Sequence, residues 1–172
     1  AWTQRMYGTG AADVWEICGN NSTVTKVAWQ QGWRVLEPLK SASFNNTEFQ
    51  HQINDTLTER SPRVVVIEAP PKVWSNASVY RKESSNAKTQ KLKSVRKVLN
   101  PFFDNACNVV ERQLNDSHDF VLECPLALSG YKHDGLQKII GHDDVCCKAS
   151  RTFLEHGPRD NSTRAVWWVS SS

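Results

Sequence analysis

The sequence lacks any long hydrophobic run and carries almost no excess charge. Its longest aliphatic run, Val64 to Ile67, has only four residues, far short of the roughly 20 that a transmembrane helix needs, so we expect no membrane span. A net charge of +3 permits an anionic partner without indicating one. A hydrophobic fraction of 39% with seven tryptophans excludes a disordered chain. For 172 residues we predict one domain, residues 12–172, preceded by an N-terminal extension, residues 1–11.

Patterns of metal ligands are also missing. The five cysteines form no C-x-x-C, and the five histidines are scattered without H-E-x-x-H, so we predict no metal site. An odd number of cysteines cannot all pair within one chain, which favours reduced thiols and an intracellular protein. Seven Asn-x-Ser/Thr sequons favour the secretory route instead, and both localisations stay open. The sequons begin at Asn20, Asn21, Asn45, Asn54, Asn76, Asn115 and Asn161.

Strand and helix patterns alternate along the chain. Short apolar runs bounded by Gly or Pro predict strands, and apolar residues three or four apart predict helices. The predicted strands are 12–18, 33–36, 63–69, 120–123, 144–147 and 165–169. The predicted helices are 22–31, 47–59, 88–114 and 136–140, the third broken at Asn100-Pro101. This alternation predicts an α/β fold with an open, mostly parallel sheet, helices on both faces, and Val64 to Ile67 at its centre.

Acidic residues end three of the predicted strands. Glu16 precedes a turn at Gly19, Glu37 ends the second strand, and Glu68 ends the third, which continues as Ala-Pro-Pro-Lys72. Ligands of open α/β sheets bind outside the carboxyl ends of the strands, and an acid at the place of Glu37 can accept both ribose hydroxyls of a nucleoside. We therefore predict an adenosine-sized pocket at the first two strand ends, with chemistry offered from the third.

Five segments in this order carry a resemblance. They read E-I-C-G-N-N-S from Glu16, G-W-R-V-L-E-P-L from Gly32, R-V-V-V-I-E-A-P-P-K-V-W-S from Arg63, F-V-L-E-C-P from Phe120 and R-A-V-W-W-V-S-S from Arg164. The chain from residue 12 to 171 resembles the methyltransferase-like domains of Copia-type retroelement polyproteins. These domains are in turn similar to the Rossmann-like, class I, S-adenosylmethionine-dependent fold of DNA cytosine C5 methyltransferases.

The resemblance implies a cofactor site at the first two strand ends. Glu16 and Gly19 match the family's acid and first glycine, and Glu37 matches its ribose-binding acid. Asn21 stands in place of the second glycine, where its side chain fills space that the methionine end of the cofactor needs. We therefore expect no bound cofactor, with S-adenosylmethionine as the ligand if the domain is active.

The resemblance also places Lys72 where the family has its cysteine nucleophile, and Glu123 where a glutamate holds the cytosine ring. A lysine amine cannot replace reversible thiolate addition, so we expect Lys72 to face Glu123 and close the cleft. The sequence thus predicts a non-catalytic methyltransferase-like domain that serves a protein partner as an accessory subunit in a larger assembly. One alternative is a methyltransferase that contacts nucleic acid through the basic stretch from Arg81 to Lys97; another is a secreted glycoprotein of the same fold.

Overall fold

The computed structural model describes residues 10–19, 21–40, 47–68, 86–125, 133–153 and 163–171. In chain order, the elements are β1 (Val14–Ile17), α1 (Thr23–Gln30), α2 (Thr47–Arg60), β2 (Val64–Glu68), α3 (Asn86–Asn115), β3 (Asp119–Pro125), α4 (Asp134–Ile140), β4 (Val145–Phe153) and β5 (Thr163–Ser171). Among the helices in these ranges, none combines the length and the apolar character that crossing a membrane requires.

The five described strands form one open, mixed sheet in the order β1-β2-β3-β5-β4. β1, β2 and β3 are parallel neighbours, whereas β5 runs antiparallel to both β3 and β4. The predicted α/β class is confirmed, and β2 lies inside the sheet between β1 and β3, although β3 is the middle strand of the five. The predicted strand 33–36 is instead an extended segment that meets β1 through isolated parallel bridges at Val35 and Leu39. After β1, the chain therefore runs through the 35–39 segment on one side of β1 and then enters β2 on the other side of β1.

One face of the sheet carries the main core. Because side chains alternate along a strand, residues that are register partners share a face. The strand residues of this core are Trp15, Ile17, Val65, Ile67, Phe120 and Leu122. The helix residues of the same core are Ile53, Leu57, Phe102, Phe103, Val110, Leu136 and Ile139. These positions form the apolar stripes of α2, α3 and α4, which face the sheet.

The opposite face is covered less completely. α1 packs there through Ala28, which contacts the cluster containing Val14. Along β2 the burial alternates, because Val65 is fully buried while Val64 and Val66 are only partly buried. The apolar run of β2, predicted to be covered on both faces, is therefore fully buried on one face and partly buried on the other, where Val64 packs against the cluster of Val14 and Ala28.

α3 continues through Pro101 without interruption, so the predicted break at Asn100-Pro101 is wrong. Proline removes one backbone donor and crowds the preceding turn. The next two residues, Phe102 and Phe103, are nonetheless buried in the core and contact each other edge to face at 5.1 Å. Their packing holds the helix together across the proline.

A buried glutamine joins α3 to the sheet. Gln113 is only 1% exposed, and its Nε2 donates to the backbone carbonyls of Pro62 at 3.0 Å and Asp119 at 2.9 Å. These carbonyls lie next to the start of β2 and at the start of β3. One side chain thus fixes the amino ends of two strands relative to the helix.

Candidate functional site

The turn after β1 is organised around one buried carboxylate. Glu16 is fully buried, and its Oε2 accepts hydrogen bonds from the backbone N and the Oγ1 of Thr25, each at 2.7 Å. Thr25 is in the first turn of α1, where backbone N–H groups have no partner within the helix. The residue before the helix, Ser22, is left-handed with φ 51° and makes no side-chain capping bond. Glu16 therefore caps α1 from the neighbouring strand.

Gly19 provides the room for this carboxylate. A Cβ placed on Gly19 would overlap Glu16 Oε1 and lie 2.6 Å from Cδ and 2.9 Å from Cγ, which is closer than non-bonded atoms tolerate. Cys18, just before it, has φ 64°, so the chain turns sharply on leaving β1. The turn that the sequence predicts at Gly19 is present, and the space beside the glycine holds the side chain of Glu16.

Asn21 and Glu37, the other two residues that the resemblance assigns to a cofactor, are both exposed. Asn21 lies in the bend before α1, where its backbone carbonyl accepts a hydrogen bond from Lys26 Nζ at 2.8 Å. The backbone carbonyl of Glu37 accepts from Trp15 Nε1 at 3.0 Å. This last bond ties the 35–39 segment to β1 through a buried tryptophan.

Glu37 lines a cleft between its own segment and α2. The cleft has a volume of about 690 Å³, within the range of small-molecule pockets. Its described lining consists of Trp15, Leu36, Glu37, Pro38, Leu39, Lys40, Gln52, Ile53, Asp55, Thr56, Glu59 and Arg60. Glu16, Gly19 and Asn21 do not belong to it. The structure therefore brings Glu16 and Gly19 into contact and assigns Glu37 to a separate cleft.

A pair of glutamates lies at the carboxyl ends of β2 and β3. Glu68 and Glu123 are register partners on parallel strands, and both are partly buried. Lys72 lies outside the described residues, so its approach to Glu123 stays a prediction. Burial, with a smaller contribution from the charge of Glu68, raises the pKa of the Cys18 thiol far above its ordinary value. Cys18 is therefore a poor nucleophile, although it lies at the same edge of the sheet.

Two further thiols, those of Cys107 and Cys147, are not activated either. Burial raises the pKa of Cys107 to about 12, and it also raises that of Cys147. Cys18, Cys107, Cys146 and Cys147 are all free. The raised pKa values of Cys18, Cys107 and Cys147 all favour the protonated thiol over the thiolate.

His133 has a structural role. Its Nδ1 accepts a hydrogen bond from the backbone N of Leu136 at 3.3 Å and so caps α4. Its Nε2 lies 2.9 Å from Asp104 Oδ1, and the ring packs at 5.7 Å from that of Phe103. In the described ranges, no three or more His, Cys, Asp and Glu side chains come together in an arrangement that could hold a metal ion.

Two predicted surface features fall only partly on described residues. Of the basic stretch from Arg81 to Lys97, residues 86–97 form the first turns of α3, and Lys97 is exposed; residues 81–85 lie outside the description. Of the sequon asparagines, Asn21, Asn54 and Asn115 are exposed. The sequon asparagines at residues 20, 45, 76 and 161 lie outside the described residues.

Comparison with family models, with curated proteins and with solved structures finds no match. The methyltransferase resemblance therefore stays a prediction from the sequence motifs. Sequence reasoning missed one residue of the site, Thr25, the partner of Glu16. A hydroxyl residue in the first helical turn after an acidic strand end was the available signal.

Proposed function

We propose that this chain is a non-catalytic domain of methyltransferase-like fold that serves as an accessory subunit in a larger assembly. The observation that carries the proposal is the state of Glu16. The acid that the resemblance assigns to the cofactor is fully buried and holds the first turn of α1 through Thr25. A side chain committed in this way stabilises the turn without any ligand.

The topology supports the methyltransferase-like part of the proposal. The 35–39 segment lies beside β1 on one side, and β2 lies on the other, both parallel to it. The strand order thus reverses at β1, which is the switch point where doubly wound sheets bind their ligands. The antiparallel β5 is compatible with this family of sheets, since mixed sheets are common among large α/β folds.

The surface of α1 supports the accessory role. Among the described residues, the exposed large apolar side chains are Val27 and Trp33, at 51% and 50% exposure. The backbone N of Trp33 donates to the carbonyl of Ala28 at 3.1 Å, so Trp33 follows directly on the last turn of α1, the helix that carries Val27. Tryptophan is enriched at the energetic centres of protein interfaces, so these two exposed side chains fit a contact with a protein partner.

Cofactor binding is the first test. Calorimetric titration of the purified chain with S-adenosylmethionine should give no binding, or binding weaker than about 1 mM, which corresponds to about 4 kcal/mol. Glu37→Gln serves as the matched variant, because a specific ribose contact would be lost in it. Micromolar affinity that weakens in Glu37→Gln, or transfer of a labelled methyl group to DNA or RNA, would overturn the proposal in favour of the enzyme.

The accessory role needs its own test. When the purified chain is added to an extract of its source cells, it should elute from a size-exclusion column well above its own mass of 19.5 kDa. The double variant Val27→Ser, Trp33→Ser should elute at the mass of the chain alone. Thr23→Ala is the control, since Thr23 is an exposed residue of the same helix. If the wild-type chain elutes as a monomer, the accessory role is wrong.

A further inference from the structure

The N-terminus of α1 is built like an anion site. The first backbone N–H groups of a helix lack partners within it, and the helix dipole favours negative charge there. In α1 no acidic residue lies in the first turn, and Ser22 provides no capping bond. The carboxylate of Glu16, at the end of β1, occupies this position. It accepts hydrogen bonds from the backbone N and the Oγ1 of Thr25, each at 2.7 Å.

A second observation concerns the other oxygen of Glu16. Glu16 is 0% exposed, and its Oε1 has no hydrogen-bond partner among the described residues. That oxygen lies against Gly19, whose missing side chain leaves the room for it. Burial of an unpartnered carboxylate oxygen is costly. The two hydrogen bonds that Oε2 accepts from Thr25 offset part of this cost.

We propose that Glu16 is a built-in occupant of the anion site at the α1 N-terminus. The carboxylate keeps the strand–turn–helix unit closed without a ligand and excludes phosphate-bearing ligands such as nucleotides and dinucleotides from it. A phosphate would have to displace Glu16 from Thr25 and would meet a second negative charge at the same place. Because S-adenosylmethionine carries no phosphate, this inference holds whether or not the domain is catalytic.

Chemical rescue tests the proposal. Glu16→Ala removes the carboxylate and leaves a cavity the size of a small monocarboxylate beside the donors of Thr25. Sodium formate is the probe, and sodium chloride at the same ionic strength is the reference. At about ten times its dissociation constant, formate should raise the folded-to-unfolded ratio of Glu16→Ala about 11-fold, which is a rise in melting temperature of about 3 to 6 °C for a chain of this length.

Two comparisons make the result specific. Wild type should show no formate effect beyond that of chloride, and neither should Glu59→Ala, which removes an exposed carboxylate from α2. Wild type should also give no calorimetric heat with ADP or inorganic phosphate at millimolar concentration. Heat with either ligand in wild type, lost in Thr25→Val, would show that the site is open and overturn the proposal.

A variant that fails to fold still gives an answer. If Glu16→Ala is unfolded in chloride, the same titration is followed as recovery of helical circular dichroism. Recovery with formate, and not with chloride, supports the proposal. If formate up to about 1 M, far above a millimolar dissociation constant, stabilises or refolds Glu16→Ala no more than chloride does, the anion site does not exist.

Discussion

Substituting Gly19 with alanine is the most direct perturbation of the β1–α1 turn. The new Cβ would overlap Glu16 Oε1, so the carboxylate must leave its place or the turn must open. Either movement breaks the two bonds to Thr25. Hydrogen bonds to a charged group contribute about 1.5 to 3 kcal/mol each, and partial relaxation recovers some of that loss. We expect Gly19→Ala to lower the free energy of unfolding by about 3 kcal/mol, or the melting temperature by about 6 to 12 °C.

The assay is urea unfolding followed by tryptophan fluorescence and far-ultraviolet circular dichroism, for wild type and each variant. Gly141→Ala is the matched control. The nearest atom to its new Cβ is the carbonyl oxygen of Gln137 at 3.3 Å, and its φ of −85° suits alanine. It should therefore change the free energy of unfolding by less than about 1 kcal/mol.

A double-mutant cycle isolates the contact between Gly19 and Glu16. In a Glu16→Ala background there is no carboxylate to displace, so Gly19→Ala should cost less than about 0.5 kcal/mol. The coupling free energy should then be about 2 to 3 kcal/mol. An equal cost for Gly19→Ala in both backgrounds would refute the reasoning, because the glycine would then be required for the backbone alone.

Three further predictions concern other parts of the chain. Gln113→Ala should lower the free energy of unfolding in urea by about 2 to 4 kcal/mol, because two backbone carbonyls lose their buried donor and a cavity is left; a loss below 1 kcal/mol would contradict this. Peptide-level mass spectrometry after brief alkylation of the folded protein should find Cys146 modified well before Cys18, whose pKa is raised by burial. Hydrogen bonds from Arg34 lower the pKa of Asp13, so wild type should exceed Asp13→Asn in stability above the unfolded pKa of about 3.9, and the difference should vanish as the pH falls through the lower folded value; a difference that persists in acid would argue against the pairing.

Local patterns in the sequence predict most of the helices and strands. The spacing of Phe49, Ile53 and Leu57 predicts α2, and the aliphatic run of β2 predicts a central strand. Pro101 leads to a wrong prediction, because an internal proline usually ends or kinks a helix. Only the folded structure shows that the residues after it are buried in the core and continue the helix. The direction of β5 also cannot be predicted from its residues, since a strand's own pattern does not specify how it pairs.

The candidate site is predicted less well, and the reason is again tertiary. The sequence identifies Glu16 and Gly19 as a strand end and a turn. It does not indicate that the carboxylate turns back to Thr25, because that contact joins residues nine apart across a turn whose left-handed backbone at Ser22 is not specified by the sequence pattern. Without this geometry, Glu16 is read as a ligand-binding acid instead of a helix cap. The position of Lys72 relative to Glu123 stays a prediction.

The parallel half of the sheet has a consequence for how the chain acquires its structure. Val14 pairs with Val64, and Val64 pairs with Asp119, so about 50 residues separate each pair of partners. Closing a loop of that length costs about 3.5 kcal/mol of chain entropy before any contact rewards it, whereas β4 and β5 are consecutive and form a local hairpin. Pairing of β1 with β2 is therefore a slow, non-local event. During synthesis, the apolar side chains of β1 stay exposed until β2 emerges, and in that interval they are a site for chaperone binding or aggregation.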